Sequence, residues 1–257
     1  ANDHKKFPKR ALEKPEETFY FAKRSNKQSP AIDSFEYILE SNKIPLKLKE
    51  RWADITSKAF TRKPDEIFSL YTDLVSDIID FMDTIGREGK MLQDADSSNS
   101  YLINSLLKTI PAQVESLGQL RGKGSGVLAS NALTTDNKLQ VAALSNTRNA
   151  KILKKDINYL FRTSEELKSD LQAPYQDAAL KLDTYLALAN KEIVQAESVS
   201  ITPEYFFQEG TETISALLSL FDAMQPLLEQ RMISQIKTAK INIGCITNWI
   251  TGLYPIK

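Results

Sequence analysis

Apolar residues along most of this 257-residue chain return every three or four positions, the period of a helix with one buried face. Residues 1–29 are charged and poorly patterned, and only Glu16 to Lys23 reads as a short helix there. Pro30 then opens a helical segment with Ile32, Phe35, Ile38 and Leu39 on one face. A second short helix follows Pro45 and carries Leu48, Trp52, Ile55 and Phe60, among which Trp52 reads as a core anchor. Pro64-Asp65-Glu66 is a helix start, with proline in the first turn and acids at the positive end of the dipole. From there Ile67, Leu70, Leu74, Ile78, Phe81 and Ile85 keep helical spacing. Residues 92–100 read as a polar turn, in which Ser98 to Ser100 offer caps for a helix from Tyr101 to about Ser130. The chain turns over Asn131 to Asp136, and a further helical run continues to about Ser198, interrupted only at Pro174. Thr202-Pro203-Glu204 starts the last helix, predicted to reach about residue 238. On it Ile214, Leu217, Phe221, Met224, Leu228 and Met232 alternate by three and four, as in a coiled-coil seam. No useful length alternates with the two-residue period of a strand. The predicted fold class is all-α, long antiparallel helices forming a helical bundle.

The pattern divides the chain into a poorly patterned segment over 1–29, a helical bundle over 30–240 and an apolar tail over 241–257. Pro174 lies 26 residues before Ser200 and Pro226 lies 25 after Ile201. With a turn near 200, the two helix-bending prolines fall at one height. That matches either a junction between two stacked four-helix-type modules or two coincident kinks. The tail, INIGCITNWITGLYPIK, is shorter than the roughly 20 apolar residues that cross a bilayer and contains Asn242 and Asn248. The chain opens on Ala1, which reads as a processed or excised piece of something longer.

Composition narrows the chemistry. Thirty-three basic residues balance thirty-three acidic ones, which argues against a nucleic-acid groove or an anionic-membrane surface. Cys245 and His4 are each alone. No intramolecular disulfide, thiolate zinc site or histidine triad can be built from them, and no metal or cofactor is expected. Carboxylate pairs such as Glu165-Glu166 and Asp65-Glu66 fall at helix starts or on solvated faces. No nucleophile signature stands out, and the chain does not read as an enzyme.

Four of the nine glycines lie between residues 118 and 126. Gly118, Gly122 and Gly126 recur every four residues and stack on one helical face, where each costs about 1 kcal/mol relative to alanine. Such a bare strip predicts close approach of another backbone or of a ligand. Arg121 beside it carries five donors in a fixed fork. It is read in three ways: as a structural charge paired with Glu115 or an acid on a neighbouring helix, as a clamp on a small carboxylate or other anion, or as a side chain simply exposed to solvent. Tyr101 and Asn104 share a face near the start of the same helix and either line a polar pocket or flank the turn.

Ser100, Tyr101, Leu102, Asn104, Pro111, Glu115 and the run Leu117 to Gly122 (LGQLRG), followed by Tyr205, Phe206 and Thr211, form a recognisable pattern. Over roughly residues 95–232 the chain resembles the extracytoplasmic sensor region of bacterial transmembrane receptors. These are methyl-accepting chemotaxis proteins and relatives with histidine kinase or diguanylate cyclase outputs. Two departures stand out: Asn104 occupies a position that is usually aspartate, and the tail over 241–257 differs from the second membrane helix of that family. The resemblance implies a periplasmic, ligand-binding bundle that signals through a small displacement of its last helix. It implies a homodimer within a membrane-anchored parent, and a small-molecule ligand, with Arg121 as the anion contact and Tyr101 and Asn104 behind it. The alternative is a structural or protein-binding helical module that recognises a periplasmic partner.

Overall fold

In the computed structural model, residues 44–59, 61–88 and 97–253 are described. The segment over 1–29, the helix predicted after Pro30, Phe60 and the last four residues lie outside them. Helix α1 spans Ile44–Lys58, α2 Pro64–Glu88, α3 Ser97–Asn104, α4 Ile110–Ala129, α5 Thr135–Leu144, α6 Arg148–Thr163, α7 Glu165–Ala189 and α8 Pro203–Leu253. Two π-helical turns, Ser105–Thr109 and Asn190–Val194, complete the order, and no strand occurs among the described residues. The protein is an all-α helical bundle.

Contacts divide the chain into a smaller unit ending at Ile78 and a larger one beginning at Ile79, a boundary inside α2. In the smaller unit Ile55, Ile67 and Leu74 are buried. Trp52, expected as a core anchor, is only half-buried and packs edge-on against Tyr71 at 5.7 Å between ring centres. Arg51 pairs with Asp77 across the two helices.

The larger unit is built on α8. Arg121 meets Thr211, Ser125 meets Pro203 and Asn99 meets Arg231, so residue numbers fall along α3–α4 as they rise along α8. The two therefore run antiparallel. Helix α7 runs antiparallel on another flank of α8, where Thr213 donates to the Lys181 carbonyl at 3.3 Å. Helix α6 lies antiparallel against α3, marked by Asn104 to Asp156 and Tyr101 to Tyr159. Ile103, Leu117, Leu120, Ile157, Leu171 and Leu217 are among the side chains these helices bury between them.

Several expected boundaries move, each for a local reason. The helix expected from Tyr101 begins at Ser97, so Ser98 and Asn99 lie in its first turn and are buried rather than capping it from outside. Asn99 accepts from Arg231 Nε at 2.8 Å, and Ser98 meets Thr163 at 3.3 Å, which fixes both inside the bundle. Helix α4 ends at a Schellman turn. Asn131 takes φ 50°, Asn131 N–H donates to Leu128 O at 3.2 Å and Ala132 N–H to Val127 O at 3.1 Å. The single run predicted after it is three helices: Thr134 and Ser164 cap the starts of α5 and α7 by accepting from Asn137 N and Leu167 N, and at the break before α6 the Asn146 side chain accepts from Arg148 N at 2.8 Å. Pro174 does not interrupt α7; the carbonyl it leaves without a partner belongs to Asp170, an exposed residue. Pro226 likewise lies within α8, which continues past the predicted residue 238 to Leu253.

The glycines were expected to matter at 118, 122 and 126, but close approach occurs elsewhere. A Cβ on Gly118 or Gly126 would meet nothing within 4 Å, and Gly122 is exposed. On Gly124 a Cβ would stand 2.3 Å from Phe206 Cε1, and on Gly210 it would stand 2.7 Å from the Tyr185 hydroxyl. These two glycines let α8 approach α4 and α7. Gly124→Ala is therefore expected to lower stability by about 1–2 kcal/mol, overpacking outweighing the helix-propensity gain. Gly118→Ala should raise stability by up to about 1 kcal/mol. Urea denaturation of the two variants beside wild type checks both signs.

Candidate functional site

Three helices converge on Arg121. Its Nη1 donates to Thr211 Oγ1 at 2.8 Å, and its guanidinium carbon lies 4.5 Å from the centre of the Phe207 ring. The Thr211 hydroxyl donates in turn to the Phe207 carbonyl at 2.9 Å, so this hydroxyl is satisfied on both sides. Beside the arginine, Tyr185 reaches in from α7, 1% exposed and tilted against Phe206 at 4.9 Å between ring centres. Its hydroxyl has no hydrogen-bond partner. Burial pushes the Tyr185 phenol well above the ordinary tyrosine range, while the Arg121 charge pulls the other way. The phenol is therefore neutral and keeps its hydrogen as an unused hydrogen-bond donor.

Glu115 does not pair with Arg121, as one sequence reading expected. It accepts from Gln119 Nε2 at 2.8 Å, one turn along its own helix. Burial pushes its carboxyl above the ordinary 4.5, and the Gln119 hydrogen bond opposes that shift.

Tyr101 and Asn104 belong to a different place. They lie 20 and 17 residues from Arg121 on the same rod, about 30 and 25 Å at helical rise. Tyr101 stacks on Tyr159 with ring centres 4.1 Å apart, and Asn104 Nδ2 donates to Asp156 Oδ2 at 2.8 Å. A second polar cluster forms around the π-helical turn: Ser105, Thr109, Gln113 and Asp156 are all buried. Ser105 Oγ and Gln113 Oε1 have no hydrogen-bond partner. Burial raises the Asp156 carboxyl above its ordinary 3.8, opposed by the Asn104 hydrogen bond and the Lys155 charge. π-Turns recur at functional sites because the widened ring leaves backbone and side chains displaced from α-helical positions.

The sequence reading missed Tyr185, Phe207, Gly210, Ser105, Gln113 and Asp156 as neighbours of these sites. A glycine at 210 inside a helical run was the available signal; the polar interior gave none, because periodicity marks Ser105 and Gln113 only as interruptions. Among the described residues, no group of three or more His, Cys, Asp or Glu could hold a metal ion. No helix of the described residues is long and apolar enough to cross a membrane. No protein-family model, curated protein or solved structure matches the chain.

The raised carboxyls set a sign for pH dependence. A carboxyl whose pKa is higher in the folded state contributes stability that is complete below its unfolded value and lost as pH rises through the folded one. Asp156→Asn combined with Glu115→Gln should therefore gain on wild type as pH climbs from below 3.8 toward neutrality. Urea midpoints measured across that window check this. A difference that shrinks with rising pH would contradict it.

Proposed function

We propose that the chain is the extracytoplasmic, periplasmic ligand-sensing region of a bacterial transmembrane receptor of the methyl-accepting chemotaxis type. It binds a small anionic molecule between helices, has no catalysis of its own, and acts within a membrane-anchored homodimer. The observation that carries this reading is the Arg121 cluster. There a guanidinium from α4 and a partnerless phenol from α7 stand beside the hydroxyl through which α4 holds α8. A carboxylate entering there would accept from Tyr185 and from the Arg121 fork, in competition with Thr211. Its binding energy then favours the packing in which α4 and α8 are less tightly joined. Helix α8 runs unbroken for 51 residues, so an ångström-scale shift at Thr211 is delivered at its far end. Tyr101 and Asn104, a good 25 Å away, position α6 in this reading instead of touching the same ligand.

A second reading, a helical module that binds a protein partner, is favoured by one feature: the exposed face of α6 is crowded with cations.

A thermal-shift screen with small carboxylates, amino acids, nitrate and other inorganic anions separates the readings. A ligand at about 100 times its dissociation constant adds roughly 2.7 kcal/mol. The sensor reading expects a stabilising anion whose effect is lost in Arg121→Ala and reduced in Tyr185→Phe, with circular dichroism unchanged. Absence of any stabilising anion, with Arg121→Ala itself melting earlier than wild type, would make the arginine a structural tie and leave the partner-binding reading.

A further inference from the structure

Helix α6 carries Arg148, Lys151, Lys154, Lys155 and Arg162 against a single acid, Asp156, which is buried. Its apolar face, Leu153, Ile157 and Leu160, is spent on the bundle core, so the helix cannot also lay that face on a membrane. What it offers outward is mainly charge, with Ile152 the exposed apolar side chain. Arg148, Lys155 and Arg162 are all exposed and stand seven residues apart, a straight row along one side of the helix. Lys151, Lys154 and Lys155 line an open groove of about 630 Å³ with Arg162 and Lys168. Like charges at Arg148/Lys151 and Lys151/Lys155 repel at three- and four-residue spacing, so the row is not there for the helix's own stability. Among the described residues, no carboxylate pairs with Lys151 or Lys154.

The same chain carries the complement. On α2, Glu66, Asp73 and Asp80 are exposed and also stand seven residues apart, with Asp77 beside them. Glu66 is shared with Arg62 at 2.5 Å and Asp77 with Arg51, both at the surface, where such pairs exchange readily. Two rods whose charges recur at the same seven-residue step match over three pairs in either direction. An overall neutral chain gives no long-range pull on nucleic acid or an anionic membrane. Short-range pairing with a rod of matching spacing is what this row fits.

We propose that the basic row of α6 (Arg148, Lys155, Arg162) docks on the acidic row of α2 (Glu66, Asp73, Asp80) of a second copy of this chain. The contact is electrostatic, reversible and salt-sensitive, and every copy carries both of its halves.

The test is a complementary charge swap on the full chain, followed by sedimentation velocity. One variant carries Arg148→Glu, Lys155→Glu and Arg162→Glu; the other carries Glu66→Lys, Asp73→Lys and Asp80→Lys. Circular dichroism verifies that both are folded. Wild type should self-associate, about tenfold more weakly at about 500 mM than at about 50 mM salt, as screening sets in. Each variant alone should be monomeric at concentrations where wild type associates, and a one-to-one mixture should recover association, because each supplies the row the other needs. A wild type that stays monomeric, a variant that still associates alone, or a mixture that fails to recover would each overturn the proposal. If a monomeric wild type instead binds a DNA oligonucleotide or phosphatidylglycerol vesicles, and the α6 variant loses that binding, the row belongs to a polyanion and the self-docking proposal is wrong.

Discussion

The larger unit depends on how closely α8 can approach α4 and α7 at one level. Phe206 fills the notch left by Gly124, and Tyr185 lies against Gly210. Bare backbone at those two positions brings three helices within reach of one another without displacing any ring. Arg121, Phe207 and Thr211 then close the same level with a cation–ring contact and a hydrogen bond. Dispersion and polar terms are thus concentrated in one layer, and the remaining contacts of α8 follow as ordinary heptad packing through Leu217, Met224 and Leu228.

Polar groups inside the bundle follow a different logic from the apolar seam. Asn99 holds Arg231, Asn104 holds Asp156, and Ser98 meets Thr163, so the end of the bundle at α3 is specified by directional bonds. Such bonds contribute modest net stability but penalise a mis-registered helix heavily, since a slip would leave each buried group without a partner. Ser105 Oγ and Gln113 Oε1, which lack hydrogen-bond partners, lie in and just after the turn where the α3–α4 rod departs from α geometry. The arrangement is a tightly keyed end beside a loosely satisfied middle.

The fold was legible wherever a single helix face carries the signal. The spacing of Ile67, Leu74, Leu217 and Met224 announces their burial, and the starts at Pro64 and Pro203 fall where proline and acids place them. The breaks near 145 and 164 were missed because Asn146 and Ser164 look like ordinary polar residues until their side chains are seen to accept from Arg148 N and Leu167 N. Pro174 misled in the opposite direction, since a helix tolerates proline where the orphaned carbonyl belongs to an exposed residue. For the site, Arg121 was visible as the one arginine amid glycines, but its partners come from sequence positions 64 to 90 residues away. Nothing in a one-dimensional pattern joins Tyr185 and Thr211 to it. The glycine strip failed for a related reason. Periodicity shows which glycines share a face, not which face a neighbour chooses, and Gly124 lies two residues from both Gly122 and Gly126, about 200° round the helix and so on the opposite face.

The π-helical turn over Ser105–Thr109 acts as a phase shifter. A turn that closes its hydrogen bonds five residues apart holds one residue more than an α-turn, and each residue of an α-helix advances by about 100°. The face α3 shows to α6 and the face α4 shows to α8 are therefore set independently on one continuous rod. Removing a single residue from this turn would restore plain α geometry while α3 and α4 keep the faces they now show, because the extra residue is held within the bulge. The turn is thus a store for one residue of slack, letting the apolar pattern of the sequence slip by about 100° between α3 and α4 while the rod stays continuous.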